Sequence, residues 1–139
     1  LESLDELRHA APQLDLALEI HESVLSRAPA IAELRGLLLE RNIALAYDDF
    51  GAGQARLLEL AEAPPHYLKF DQRFISDLDQ APLAKVRLLQ SLLTLARELL
   101  VKTVAEGIET AAEARVCAEI GFTHAQGFHI GRPRPMEEL

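Results

Sequence analysis

Apolar residues fall along this chain in short tracts, and each tract turns polar at its C-terminal end. Leu14 to Ile20, Ile43 to Tyr47, Tyr67 to Phe70, Thr103 to Ala105 and Phe122 to Ala125 read as five strands. Between them the apolar spacing lengthens to three and four. Pro29 sits where a helix can begin, with Ile31, Leu34 and Leu38 on one face up to Arg41. A helix near Gln54 to Glu62 is stopped by Pro64 and Pro65. Pro82 opens the longest helix, with Val86, Leu89, Leu93, Ala96 and Leu100 on one stripe. Ser3 with Glu6 makes a capping-box pattern for a short first helix closed before Pro12. Thr110 with Glu113 makes another, for a helix that Gly121 ends. Strands alternating with helices in this way predict one continuous α/β array with right-handed connections.

The polar residues at the strand ends are of a restricted kind. Glu19 stands in LALEIHES, Asp48 and Asp49 in IALAYDDFGAG, Lys69 and Asp71 in HYLKFD, Glu106 in KTVAEGIE and Gln126 in THAQGF. In parallel α/β barrels the site is built at strand C-termini and in the loops after them, so one polar group per strand end reads as a shared site. Convergent carboxylates beside a lysine suit a divalent metal and a phosphate. Each residue also has a plainer reading. Asp48 and Asp49 could form an Asp turn before Gly51, and Glu19 could be the solvent-facing member of an alternating strand. Lys69 could be a rim lysine, with Asp71 two residues on and able to share its face. Glu109 suits the positive end of the capped helix better than Glu106 does, and Glu22 reads as bracing a loop or capping the next helix. Gln126 could position a water or a base edge, or be a turn amide. The histidines show no ligand spacing, and Cys117 lies with Val116 and Ile120 on an apolar helix side, so it reads as core.

Composition narrows the picture. At 139 residues, 49% of them hydrophobic, the chain makes one domain but is short for a whole (β/α)₈ barrel, which takes about 250 residues. The net charge of −8 argues against a nucleic-acid duplex or an anionic membrane as partner. An anionic substrate would need metal ions to invert the sign of the carboxylate cluster. No apolar stretch is long enough to span a membrane and no export signal is present, which with the single cysteine points to a cytoplasmic, reducing setting. The start at Leu1 rather than Met points to a piece of a longer protein.

Taken in order, LALEIHES, AYDDFGAG, YLKFD, TVAEGIET and QGFHIGRP closely resemble the successive signatures of EAL domains, bacterial cyclic di-GMP phosphodiesterases on a (β/α)₈ barrel. The match runs from about Leu14 to Pro135. The resemblance implies two Mg²⁺ or Mn²⁺ ions in a complete site, and hydrolysis of cyclic di-GMP to linear pGpG. It implies Glu19 as a ligand of the first metal, Asp48 as the carboxylate shared by both and Asp49 as a ligand of the second. Lys69 would hold the attacking water and the scissile phosphate, with Asp71 nearby on the substrate side. Glu106 would bind metal-coordinated water, and Gln126 would complete the water or substrate network. A homodimer, and a regulatory domain on the same polypeptide, are implied for the full-length protein.

The departures from the family pattern are specific. The E-x-L motif of the first strand is absent, as is the asparagine ligand from a later strand of the N-terminal half. Glu2-Ser3-Leu4 imitates the former but opens a helix, and Asn42 begins a strand on the face opposite the site. The loop that usually reads FGTGYSS here reads FGAGQAR, so Ala52, Gln54, Ala55 and Arg56 replace residues that couple metal binding to dimerisation. The chain therefore reads as the C-terminal portion of an EAL domain, a partial TIM-like barrel of about five parallel strands. Such a piece is expected to be inactive alone, with unpaired edges at its first and last strands. Inward-facing residues such as Ile43, Leu45 and Leu68 are expected to lose partners. Two other readings remain: a degenerate EAL module that binds cyclic di-GMP or a protein partner without hydrolysis, and a Mg²⁺ barrel doing enolate chemistry with Lys69 as base.

Overall fold

The computed structural model of the chain describes residues 2–10, 12–21, 28–51 and 57–133. Glu22 and the altered loop residues 52–56 lie outside the described residues. Five strands, β1 (Leu16–His21), β2 (Ile43–Phe50), β3 (Tyr67–Phe70), β4 (Lys102–Ala105) and β5 (His124–Ala125), form one parallel sheet in sequence order. Helices α1 (Glu2–Ala10), α2 (Ala28–Glu40), α3 (Leu57–Glu62), α4 (Gln72–Ile75), α5 (Leu83–Glu98) and α6 (Ala111–Ile120) precede, connect and cover the strands. The order β1 to β5 without a crossover is what repeated right-handed βα units produce.

The expected elements recur with adjusted ends. β3 spans Tyr67–Phe70 as read from the sequence, and Pro82 is the N-cap of α5. The Thr110–Glu113 capping box of α6 is formed in both directions, and Gly121 closes that helix. Ser3 is not an N-cap, because α1 already begins at Glu2. The chain between β3 and α5 adds α4 and a 3₁₀ turn (Leu78–Gln80) that the pattern did not announce.

One expectation is reversed. Ile43, Leu45 and Leu68 do not face an emptied interior. They are buried, at 3%, 0% and 0% exposure, in one cluster with Leu38 of α2 and Leu89 and Leu93 of α5. Tyr47, on the same side of β2, donates its hydroxyl to Ala63 O just past α3. Period-two alternation then turns Ala44 and Ala46 to the other face, where with Ala17, Tyr67 and Val104 they line an open cavity of about 530 Å³. The helix-covered face therefore carries the apolar core. Phe70 lies at its centre, meeting Phe50, Phe74 and Phe122 edge to face at centroid distances of 5.2 to 5.9 Å.

Candidate functional site

The strand register places the polar ends at one level. Leu68 pairs with Tyr47 on one side and Thr103 on the other, and Phe70 pairs with Phe50 and Ala105. Between Tyr47 and Phe50 the β2–β3 register shifts, so β2 spends an extra residue where Asp48 and Asp49 stand. Asp49 takes a left-handed backbone, φ +55. Adjacent residues on a regular strand point to opposite faces; this bulge lets two adjacent carboxylates approach one space. After it the ladder resumes, with Asp71 N donating to Phe50 O and Glu106 N to Phe70 O, both at 3.3 Å.

Lys69 is the hub. Its side chain points to the cavity face and is only 8% exposed. Its ammonium lies 2.8 Å from Glu19 Oε1, 3.0 Å from Asp48 Oδ1 and 3.0 Å from Glu106 Oε1. Burial works against its charge, but the three carboxylates outweigh burial and hold the ammonium above the ordinary lysine range. It is therefore a fixed cation at neutral pH. Glu106 shows the opposite balance: burial raises its carboxyl, the Lys69 contact lowers it, and nearby Asp48 raises it again. The net displacement is upward, with burial the largest cause and the neighbouring Asp48 adding to it.

The donor set fits a divalent cation. One oxygen each from Asp48, Asp49 and Glu106 lie within 4.8 Å of one another. Asp48 Oδ1 is buried and, although 3.0 Å from the ammonium, has no hydrogen bond of acceptable geometry. One ammonium shared by three carboxylates leaves this buried oxygen able to accept a further cation. Hard oxygen ligands of this kind suit Mg²⁺ or Mn²⁺.

The structure thus brings Glu19, Asp48, Asp49, Lys69 and Glu106 together. Gln126, exposed after β5, lines the open cavity with Glu19 and Lys69. Asp71 does not join Lys69. It caps α4, accepting from Arg73 N at 2.8 Å and Arg73 Nε at 2.9 Å, and although burial pushes its carboxyl up, these bonds hold it below the ordinary range. Glu109 accepts from Gln72 Nε2 at 3.4 Å, joining the loop after β4 to the start of α4. His21, which ligand spacing did not single out, ends β1 with Nε2 3.4 Å from Asp49 Oδ2. Its position one strand over, paired with Asp48 in register, is the signal that could have found it.

A second layer holds the loops in place. Glu113 Oε1 accepts from Asp77 N at 2.9 Å, and its Oε2 accepts from Glu109 N at 2.9 Å and Thr110 N at 3.1 Å. One carboxylate thereby ties the loop carrying Glu106 to the segment after β3. Gly127 lets the loop after β5 close on the loop after β4: its φ is +155, and a Cβ there would stand 2.3 Å from Ile108 N and O. Gln126 O accepts from Ile108 N at 3.1 Å across this contact. The glycines of AEG and QG are thus spacing devices between neighbouring loops; at Gly107, φ +72, a Cβ would meet the Gln72 side chain at 2.6 Å.

Comparisons with known proteins place a chain with this sheet in one family. The family model described as EAL domain matches residues 1–133, and the chain belongs to that family. It is 37% identical over 134 residues to the bifunctional diguanylate cyclase/cyclic di-GMP phosphodiesterase MucR of Pseudomonas aeruginosa, covering 96% of this chain but 19% of MucR. Among solved structures, the EAL domain of DcpA from Mycobacterium smegmatis superposes with a TM-score of 0.85 at 28% identity, covering 99% of this chain and 62% of that one. Klebsiella pneumoniae BlrP1, solved with manganese and cyclic di-GMP, gives a TM-score of 0.82 at 28% identity, covering 95% and 34% respectively. The chain thus spans less than two thirds of the length of each of these relatives. Among the described residues, no helix is long and apolar enough to cross a membrane.

Proposed function

We propose that the chain is the C-terminal portion of a cyclic di-GMP phosphodiesterase domain, with the first-strand glutamate and the asparagine ligand contributed by N-terminal barrel strands outside it. The observation that carries this reading is the convergence of Glu19, Asp48 and Glu106 on Lys69, beside Asp49, in a member of the EAL family. Glu19, Asp48, Asp49 and Glu106 would hold two divalent ions, which when bound acidify a coordinated water and offset phosphate charge. Lys69, kept protonated by its carboxylates, donates to the attacking water and to a non-bridging phosphate oxygen. Gln126, on the cavity wall, orients the nucleotide. Water adds to phosphorus as one P–O3′ bond breaks, leaving linear pGpG.

The permanently charged lysine argues against the enolate alternative, which needs Lys69 as a neutral base. The altered loop residues Ala52, Gln54, Ala55 and Arg56 favour instead a non-catalytic receptor for cyclic di-GMP. Mixing the full-length protein with cyclic di-GMP and Mg²⁺ separates the readings. Appearance of pGpG supports the phosphodiesterase; saturable binding with no product supports the receptor; neither outcome would discard both.

A further inference from the structure

A second cavity, of about 270 Å³, opens at the opposite end of the sheet. Arg35 of α2, His66 just before β3 and Lys102 at the start of β4 line it, with Tyr67, Leu99 and Leu100 among its walls, and no carboxylate lines it. The strand N-termini place it away from Asp48 and Glu106, which stand at the strand C-termini. Its three basic groups come from three separate elements, so no local sequence feature accounts for their meeting.

Each of the three is left with capacity to bind. Arg35 Nε is buried and has no hydrogen-bond partner. Lys102 Nζ lies 5.4 Å from the Tyr67 ring centroid, and among the described residues neither it nor Arg35 forms an ion pair. His66 Nδ1 accepts from Leu45 N at 2.9 Å, which fixes the proton of the neutral ring on Nε2 as a further donor. Burial first, then Arg35 and Lys102, hold this imidazole below its ordinary value.

The end of α5 does not consume these charges. Leu100 N donates to Arg97 O at 3.0 Å and Val101 N to Ala96 O at 2.9 Å, so backbone donors already satisfy the last carbonyls. In a chain of net charge −8, a pocket with an unpartnered guanidinium nitrogen, an ammonium and an imidazole N–H is an anion receptacle.

We propose that the Arg35–His66–Lys102 cavity binds a small tetrahedral oxyanion of phosphate size. Its volume admits one such group; His66, Tyr67 and Lys102 also border the larger cavity that Glu19 and Lys69 line, whereas Arg35 lines this pocket and not that one. Arg35 and Lys102 supply the charge, and His66 Nε2–H a directional bond.

The test is calorimetric titration of inorganic phosphate into the chain without divalent cations, at constant ionic strength set with chloride. Saturable one-site binding is expected. Arg35→Gln and Lys102→Gln should each weaken it at least tenfold, while Arg87→Gln, on the outer face of α5, leaves it unchanged. Far-UV circular dichroism reports whether each variant folds. Lys102 is exposed, so Lys102→Gln carries the test even if Arg35→Gln unfolds. Heats that do not saturate, an equal response to added chloride, or full binding by Lys102→Gln would each overturn the proposal. Removing divalent ions keeps this result independent of the strand-end cluster.

Discussion

Replacing Lys69 with glutamine tests the hub of the strand-end cluster. The change removes one ammonium and leaves Glu19, Asp48 and Glu106 facing a neutral amide. Glu19 is half exposed, so its pair with Lys69 is worth at most about 1 kcal/mol. Asp48 and Glu106, with side chains 31% and 17% exposed, are poorly solvated, and stranding buried charge costs about 3–5 kcal/mol. Allowing for partial solvation, a loss of about 3 kcal/mol is expected. With a urea slope of about 2 kcal/mol per molar, the unfolding midpoint should fall by about 1.5 M. Mg²⁺ should restore more stability to the variant than it adds to the wild type, by up to about 2.7 kcal/mol at a hundredfold excess over its dissociation constant. Urea titrations followed by circular dichroism, with and without Mg²⁺, give both numbers. If Lys69→Gln unfolds at the wild-type midpoint without metal, the ammonium does not neutralise the cluster, and the reasoning fails.

Other expectations follow from single contacts. Gly127→Ala drives a Cβ against the Ile108 backbone and should cost about 2 to 3 kcal/mol, read by thermal unfolding; an unchanged melting temperature would show that the two loops are not in contact. Leu100→Gly relieves a left-handed residue, φ +59, whose side chain is 90% exposed, and should raise stability by about 0.5–1 kcal/mol; a loss would mean that the side chain packs. Burial raises the Glu113 carboxyl, but its backbone donors hold it below the ordinary value. Its stabilisation is then present above the ordinary glutamate value and lost as pH falls through the folded one, so Glu113→Gln should flatten the acid limb of stability and cost about 2 kcal/mol at neutral pH. Purified alone, the five-stranded chain has β1 and β5 at open edges and should elute larger than a monomer in size-exclusion chromatography; a sharp-melting monomer would contradict that.

Much of this was legible in the sequence. Five apolar tracts with polar ends gave the strands, and Tyr67–Phe70 matched to the residue because prolines bound it on one side and a helix cap on the other. The family signatures named the cluster. Four things were not legible. The orientation of β2 and β3 was misread because Ile43, Leu45 and Leu68 look like barrel-interior residues. The telling signal was their small neighbours Ala44 and Ala46, which leave the cavity face open. The cap that Asp71 makes on α4 was another, because that helix is too short to show a 3.6-residue period. The bulge at Asp48–Asp49 depends on register with β3, and the Arg35–His66–Lys102 pocket on packing of three distant elements; neither leaves a local pattern.

The claim that the cluster is a metal-dependent phosphodiester-cleaving site is tested most directly by turnover of cyclic di-GMP in a chain carrying the N-terminal barrel strands. Production of pGpG is followed by chromatography for the wild type and Asp48→Asn, with Mg²⁺ and with chelator. The account requires Mg²⁺-dependent pGpG from the wild type, abolished by chelation and by Asp48→Asn while the fold is retained. Wild-type turnover by Asp48→Asn, or turnover that survives chelation, would contradict it.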